Sequence, residues 1–278
     1  MAGFPLPASA VADGYRVIGF DTVGSTNIEA AEAAMAGDSG KLWFAALQQT
    51  TGKGRRGRPW ESPYGNLAAS LLIVPDSAAE NLASLGFVAG VALNKALAKI
   101  VPQARIATGI DGADGQSDGH AARIALKWPN DVLADGAKLA GILLEGHKRP
   151  DGRHAIVIGF GVNVVAAPEG LPYPAAALNA MGVNVDAAAV FEALAESWVE
   201  CFNAWDNGRG IAKILESWRA AAAGIGAEVA VQRNRDVVRG VFETIDDAGH
   251  LIVRDPEGHR IAIAAGDVHF GTTATLKV

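Results

Sequence analysis

Gln49-Thr50-Thr51-Gly52-Lys53-Gly54-Arg55-Arg56-Gly57-Arg58-Pro59-Trp60 contains the pattern Gly-x-Gly-x-x-Gly behind an apolar, strand-like run over 41–49. In a dinucleotide-binding fold such glycines open a helix whose amino terminus holds pyrophosphate. Pro59 and Pro63 forbid that helix, and no Ser or Thr follows Lys53 to hold magnesium as a Walker loop requires. Both nucleotide-binding α/β folds are thereby excluded. The segment reads instead as a loop joining strands at 41–49 and 67–74. It carries four cations, Lys53, Arg55, Arg56 and Arg58, within six residues. Its glycines let backbone amides approach an anion, and its arginine forks can grip phosphate or carboxylate. Charge alone fits a solvated basic loop or a nucleic-acid patch equally well. Gln49 before it and Trp60 after it favour a ligand, because a planar aromatic can pack on a nucleotide base.

Upstream, residues 15–20 read as a strand, and Thr26 with Glu29 reads as a capping box opening an Ala-rich helix that runs to about Ala36. Downstream, Leu82, Leu85, Val88, Ala89, Ala92, Leu93, Ala96, Leu97 and Ile100 keep helical spacing. The apolar run there stops at Asn94 and Lys95, short of the roughly 20 residues that span a bilayer. Residues 109–119 are rich in Gly and Asp with almost nothing to bury, and read as a mobile excursion and an apparent insertion of no assigned role. Strands follow at 123–127, 131–134, 138–145 and 154–164, with Asp-Gly turns at Asp135 and Asp151. Phe191, Leu194, Trp198, Phe202 and Trp205 share one helical face, and Ile211, Ile214, Leu215 and Trp218 another. After Gly224 the pattern becomes short strands about ten residues apart. The expected fold is α+β: a mostly antiparallel sheet covered by helices over 1–223, and a small β-barrel over 224–278.

Among the 278 residues, 24 are Lys or Arg against 30 Asp or Glu, a net charge of −6 that argues against a bulk grip on nucleic acid or an anionic membrane. The single cysteine, Cys201, excludes an internal disulfide and a cysteine-built zinc site, and fits a reducing cytoplasm. The six histidines show no metal-ligand spacing. Pro5 and Pro7 stand where a signal peptide would need an apolar helix.

Two further segments carry chemistry. Lys127-Trp128-Pro129-Asn130-Asp131 precedes Lys138-Leu139-Ala140-Gly141-Ile142-Leu143. A lysine opening an apolar strand is either a snorkelling edge residue or a cation held rigidly enough to bridge two anionic reactants. Asn130 and Asp131 follow a strand-breaking Trp-Pro, where polar groups meet ligands, although Asp131 can equally close a turn. Ser25-Thr26-Asn27 is a helix start that can also hold a small polar head group.

Together, in this order, the Ser-Thr-Asn helix start, Gln-Thr-x-Gly-x-Gly-Arg-x-Gly-Arg-x-Trp, Lys-Trp-Pro-Asn-Asp and Lys-Leu-Ala-Gly-Ile-Leu resemble the bacterial biotin protein ligase family. That family activates biotin with ATP to biotinyl-5′-AMP and transfers biotin to a lysine of a biotin carboxyl carrier protein. The resemblance runs from about Tyr15 to the end, and implies a class II synthetase-like catalytic domain with a C-terminal SH3-like barrel. It implies that Ser25, Thr26 and Gln49 hydrogen-bond biotin's ureido ring, that Lys53 and Arg55 hold its activated carboxyl with Lys138 against the carboxylate and α-phosphate, and that Asn27, Gly54 and Gly141 also line biotin. Arg56, Arg58, Trp60, Lys127, Asn130, Asp131 and Asn163 would line ATP, with Lys138, Arg55 and Asp131 catalytic. Magnesium would be held through the phosphates, with Asp131 as its protein ligand. Lys53 stands where the family usually has arginine, keeping the charge and losing the planar fork.

Only 24 residues precede Ser25, too few for the DNA-binding module of the family's repressors, so a ligase without repressor activity is expected, as monomer or homodimer. A lipoate ligase shares the adenylation logic, but its Arg-Arg and triple-glycine segment is absent. The non-enzyme alternative is an RNA-binding module using the basic loop.

Overall fold

The structure, a computed structural model, describes residues 3–76, 79–101, 105–106, 123–233 and 236–270. The 109–119 excursion lies outside the described residues. In chain order the elements are α1 (Ala8–Ala12), β1 (Arg16–Phe20), α2 (Thr26–Met35), β2 (Leu42–Ala46), β3 (Leu67–Ile73) and α3 (Leu85–Ile100). Then come β4 (Arg105–Ile106), β5 (Arg123–Lys127), β6 (Asp131–Ala134), β7 (Ala137–Lys148) and β8 (His154–Val162). After α4 (Ala187–Trp205) and α5 (Ile211–Ala220), the chain ends in β9 (Glu228–Arg233), β10 (Asp236–Ile245), β11 (Leu251–Arg254), β12 (Arg260–Ile263) and β13 (Asp267–Phe270).

The first eight strands form one sheet in the order β1-β2-β3-β8-β7-β6-β5-β4. Only the β1/β2 and β4/β5 pairs at its edges are parallel, so the expected mostly antiparallel sheet is present. Alternation along β2 shows how the layers arise. Trp43 and Ala45 enter the main core, while Leu42 and Phe44 face the other way and pack with Ala30 and Ala34 of α2. The main core is closed by α3, α4 and α5. Trp198 and Trp205 of α4 are fully buried, and Phe202 stacks between them at 5.3 and 5.5 Å. The long apolar helix α3 belongs to this core, with Leu85, Val88, Leu93 and Leu97 wholly buried. Cys201 is buried too, and burial pushes its thiol up to about 11, so it is a packing residue.

The last five strands form a separate antiparallel sheet, β12-β11-β10-β9-β13, the SH3-like barrel. It meets the rest of the chain at the β5–β6 turn and at α5: Trp128 Nε1 donates to Gly249 O at 3.1 Å, and Arg219 donates to Ile245 O at 2.9 Å.

Some boundaries differ from the sequence reading. β2 stops at Ala46 rather than Gln49, because the chain then leaves the ladder for single bridges from Gln49 to Val23 and Ser62. α3 proper starts at Leu85, since residues Ala79–Ser84 form a tighter 3-10 turn. The Thr26/Glu29 capping box does not form. Ser25 holds the N-cap position, so Thr26 is already helical and the residue three after the cap is Ile28.

Candidate active site

The face of the large sheet that carries α2 also carries the sequence motifs. At one end, Gln49 Oε1 accepts from the Thr26 amide at 2.8 Å and the Thr26 hydroxyl at 3.0 Å. The first free amide of α2 is thus satisfied by a side chain from the neighbouring strand extension, which explains why no local cap is needed. Ser25 and Thr26 are both buried. Asn27 donates to Glu145 Oε2 at 2.6 Å and accepts from the Ser70 hydroxyl, which also reaches Thr26.

From Gln49 the glycine loop folds back on itself. Gly54 N donates to Arg58 O at 2.8 Å and Trp60 N to Gly52 O at 2.9 Å, closing a narrow hairpin whose tip is a turn over Arg55–Gly57. Gly57 takes φ +71, and Arg56 is held at φ +56 beside it. A cleft inside the loop is lined by Gln49, Gly52, Lys53, Trp60 and Ser62 among others. Lys138, Asp131 and Lys127 do not line it; Trp60 is common to the cleft and to the lysine.

Trp60 lies on a floor made by two glycines. Gly141 of β7 and Gly161 of β8 are partners in register. A Cβ on Gly161 would fall inside the indole, and one on Gly141 would meet Trp60 Cζ3 at 3.3 Å.

Lys138 reaches the same face because of a bulge. β6 pairs Val132 with Ala140 but Leu133 with Lys138, so Leu139 is an extra residue in β7. By simple alternation Lys138 would follow Ala140 and Ile142 into the main core. The extra residue instead puts its Nζ beside Gly141, 2.8 Å from Asp131 Oδ1 and 5.4 and 5.6 Å from the rings of Trp60 and Tyr173. The backbone of Lys138 is clasped by a following segment, donating to Pro174 O and accepting from Ala176 N.

The turn after β5, with its cis Trp128–Pro129 peptide, puts Lys127 opposite Asp131. Lys127 is driven below the usual lysine range by burial, with nearby Lys138 adding to the effect and Asp131 opposing it. Asn130 donates to Ile142 O at 2.7 Å and accepts from Arg55 at 3.1 Å. Burial also lowers Arg55, against the pull of Asp267.

Three loop arginines converge on the barrel. Asp267 Oδ2 pairs with Arg58 at 2.8 Å and Arg56 at 3.0 Å, and its Oδ1 with Arg55 at 3.5 Å. Burial would raise the Asp267 carboxyl, but the hydrogen bond from Arg58 and the charges of Arg58, Arg56 and Arg55 outweigh it and hold it below the usual range. Lys53 is exposed and joins no acidic partner among the described residues.

The structure therefore gathers Ser25, Thr26, Gln49, Trp60, Gly141 and Lys138 on one face, with Lys127, Asn130, Asp131 and Arg55 adjoining. Asn163 stands apart: it is buried and donates to Ala176 O at 3.0 Å, tying down the segment that clasps Lys138. Ser70, Glu145, Gly159, Gly161, Tyr173 and Asp267 belong to the same neighbourhood and were not singled out from sequence. The one readable signal among them was the pair of glycines within the apolar run of β8.

Comparison with known proteins fits this geometry. Residues 31–163 match the biotin/lipoate A/B protein ligase family, and 224–271 match the biotin protein ligase C-terminal domain. The biotin–[acetyl-CoA-carboxylase] ligase of Paracoccus denitrificans is 38% identical over 253 residues, covering 89% of this chain and 97% of that protein. The chain belongs to the biotin protein ligase family. A bifunctional ligase/repressor of Bacillus subtilis is 29% identical, over 93% of this ligase and 75% of its own length. A solved structure of the Aquifex aeolicus biotin protein ligase, in complex with biotin and ATP, superposes with a TM-score of 0.73 at 24% identity, covering 92% and 98% of the two chains.

Proposed function

We propose that this chain is an ATP-dependent, AMP-forming biotin–[biotin carboxyl carrier protein] ligase. A carboxylate oxygen of biotin attacks the α-phosphorus of ATP and pyrophosphate leaves. The carrier lysine's amine then attacks the acyl carbon of biotinyl-5′-AMP, and AMP leaves. The observation that carries the reading is the bulge-directed Lys138, rigid in β7 and set between the Trp60 floor and Asp131.

In this reading Ser25, Thr26 and Gln49 take the ureido ring, while Lys53, Gly54, Arg55 and Gly141 border the acyl end. Two anions must meet for the first step, so its barrier is largely electrostatic. Lys138 offsets that repulsion at the carboxylate and α-phosphate, and Arg55 adds a second fixed cation. Lys127, Asn130 and Asp131 border the phosphates, with Trp60 on the base side. Arg56 and Arg58 serve the nucleotide once it draws them from Asp267, and Asn163 acts through the segment it ties down.

One carboxylate suits magnesium, which is commonly held by one or two carboxylates together with substrate phosphates. Asp131 fits, because its buried Oδ1 has no partner among the described residues besides the Lys138 ammonium. The ion would supply charge neutralisation at the phosphates.

We assign catalysis to 1–223 and carrier transfer, with help to ATP, to 224–278, in a cytoplasmic enzyme. The deciding measurement is exchange of labelled pyrophosphate into ATP. It should require biotin and should not occur with lipoate. Exchange supported by lipoate alone would refute this assignment.

A further inference from the structure

Four oxygens stand in a row beneath the start of α2. Asn27 Oδ1, Ser70 Oγ, Thr26 Oγ1 and Gln49 Oε1 are separated in turn by 2.5, 2.7 and 3.0 Å. Asn27 can reach across β8 because residue 159 is glycine, whose Cβ would collide with the Asn27 amide. Ser70, Gly159 and Leu143 are register partners on β3, β8 and β7, so the row crosses neighbouring strands toward Glu145.

Both ends of the row are acceptors. Glu145 Oε2 accepts from Asn27 Nδ2, and a carboxylate cannot donate, so the Asn27 amide is fixed with its oxygen toward Ser70. Gln49 Oε1 accepts the Thr26 amide, so it too faces the row as oxygen. Three contacts between oxygens call for three hydrogens, and the two hydroxyls supply two. However the two are placed, one contact sets lone pair against lone pair. The row is short by one hydrogen, which makes its Thr26 end a strong acceptor for an N–H from outside.

We propose that Glu145 is a positioning residue for ligand recognition: by pinning the Asn27 amide it keeps this row rich in acceptors, and so selects a ring N–H over an isosteric ring oxygen. The proposal rests on the biotin reading above, in which the ureido ring brings the N–H groups. Without Glu145 the Asn27 amide is free to turn and donate Nδ2 to Ser70. Ser70 then donates to Thr26 and Thr26 to Gln49, every contact holds its hydrogen, and the preference for N–H falls.

Calorimetry tests this with the full chain, biotin, and the two cyclic carbamate analogues in which one or other ureido N–H is replaced by oxygen. Glu145 is exposed, so Glu145→Leu should fold, and Asn27→Ala breaks the row independently. Wild type should bind biotin far more tightly than at least one carbamate. Glu145→Leu should cut that ratio by about tenfold or more, by weakening biotin and sparing the carbamate. Adding Asn27→Ala to Glu145→Leu should change little further, because both break one row. A ratio unchanged in Glu145→Leu, whether all ligands weaken alike or none does, overturns the proposal. Failure of the wild type to bind biotin at all would instead refute the biotin reading.

Discussion

Arg58 Nη2 lies 2.8 Å from Asp267 Oδ2, joining the glycine loop to a barrel strand 209 residues further along the chain. The loop's composition alone implies strong internal repulsion. One carboxylate offsets it by facing three arginines, so the loop is held as a hairpin. Because the Asp267 carboxyl is lowered in the fold, its contribution is fully present above the usual carboxylate range. It is lost only as pH falls through the lowered value. Trp60 environment, followed by fluorescence against a Trp60→Phe control, should therefore stay constant from pH 8 to pH 5. A transition inside that window would show that another group holds the loop.

Lys138→Ala should lower biotin-dependent pyrophosphate exchange by roughly 10²–10³ while the protein still melts cooperatively. The side chain is outside the core, so its loss removes charge at the site without opening a cavity. Near-normal exchange in the folded variant would remove Lys138 from the chemistry.

Gly161→Ala and Gly141→Ala should differ, although the two glycines are partners in one ladder. The first puts a methyl where the indole lies, and the second meets it at 3.3 Å. Displacing Trp60 by an ångström is worth about 10² in rate by misalignment alone. Exchange should fall by that order in Gly161→Ala and by less than about tenfold in Gly141→Ala. Equal losses would mean that Trp60 packing on the floor is immaterial.

Much of this was legible in the chain. The apolar β-branched runs of β7 and β8 and the aromatic face of α4 gave sheet and helices, because burial imposes periods of two and 3.6. The loop's inability to form a helix followed from Pro59 and Pro63. The bulge at Leu139 was not readable, because it depends on how β6 and β7 register, and nothing local distinguishes Lys138 from a snorkelling lysine. Asp267 was equally silent: it is one acid in a turn-rich barrel until the fold brings the loop to it. The Thr26/Glu29 pair misled because a long-range acceptor, Gln49, took the amide that a local cap would have served.

Lys127→Met should raise the ATP KM by about tenfold without lowering the melting temperature. Burial disfavours the charged ammonium in the fold, so an apolar side chain of similar length removes a desolvation cost. ATP would be bound less tightly while stability held or rose. A large fall in melting temperature would show that the Lys127 charge is structural.

Trypsin distinguishes latched from released loop. Lys53 is exposed and without an acidic partner among the described residues, whereas Arg55 is only 28% exposed and is held by Asn130 Oδ1 and Gly266 O besides Asp267. Arg58 is followed by Pro59, which blocks cleavage there. The wild type should thus be cut first after Lys53, and slowly after Arg55 and Arg56. Asp267→Asn keeps the size of the side chain but removes the charge, leaving Arg55, Arg56 and Arg58 to repel one another. Cuts after Arg55 and Arg56 should then speed up about tenfold, which corresponds to about 1.4 kcal/mol of loop opening when opening is fast relative to cleavage. Biotin with ATP should protect both proteins, since an adenylate can neutralise the same cations in place of the carboxylate. Identical fragment patterns and rates in wild type and Asp267→Asn would mean that the barrel does not hold the loop.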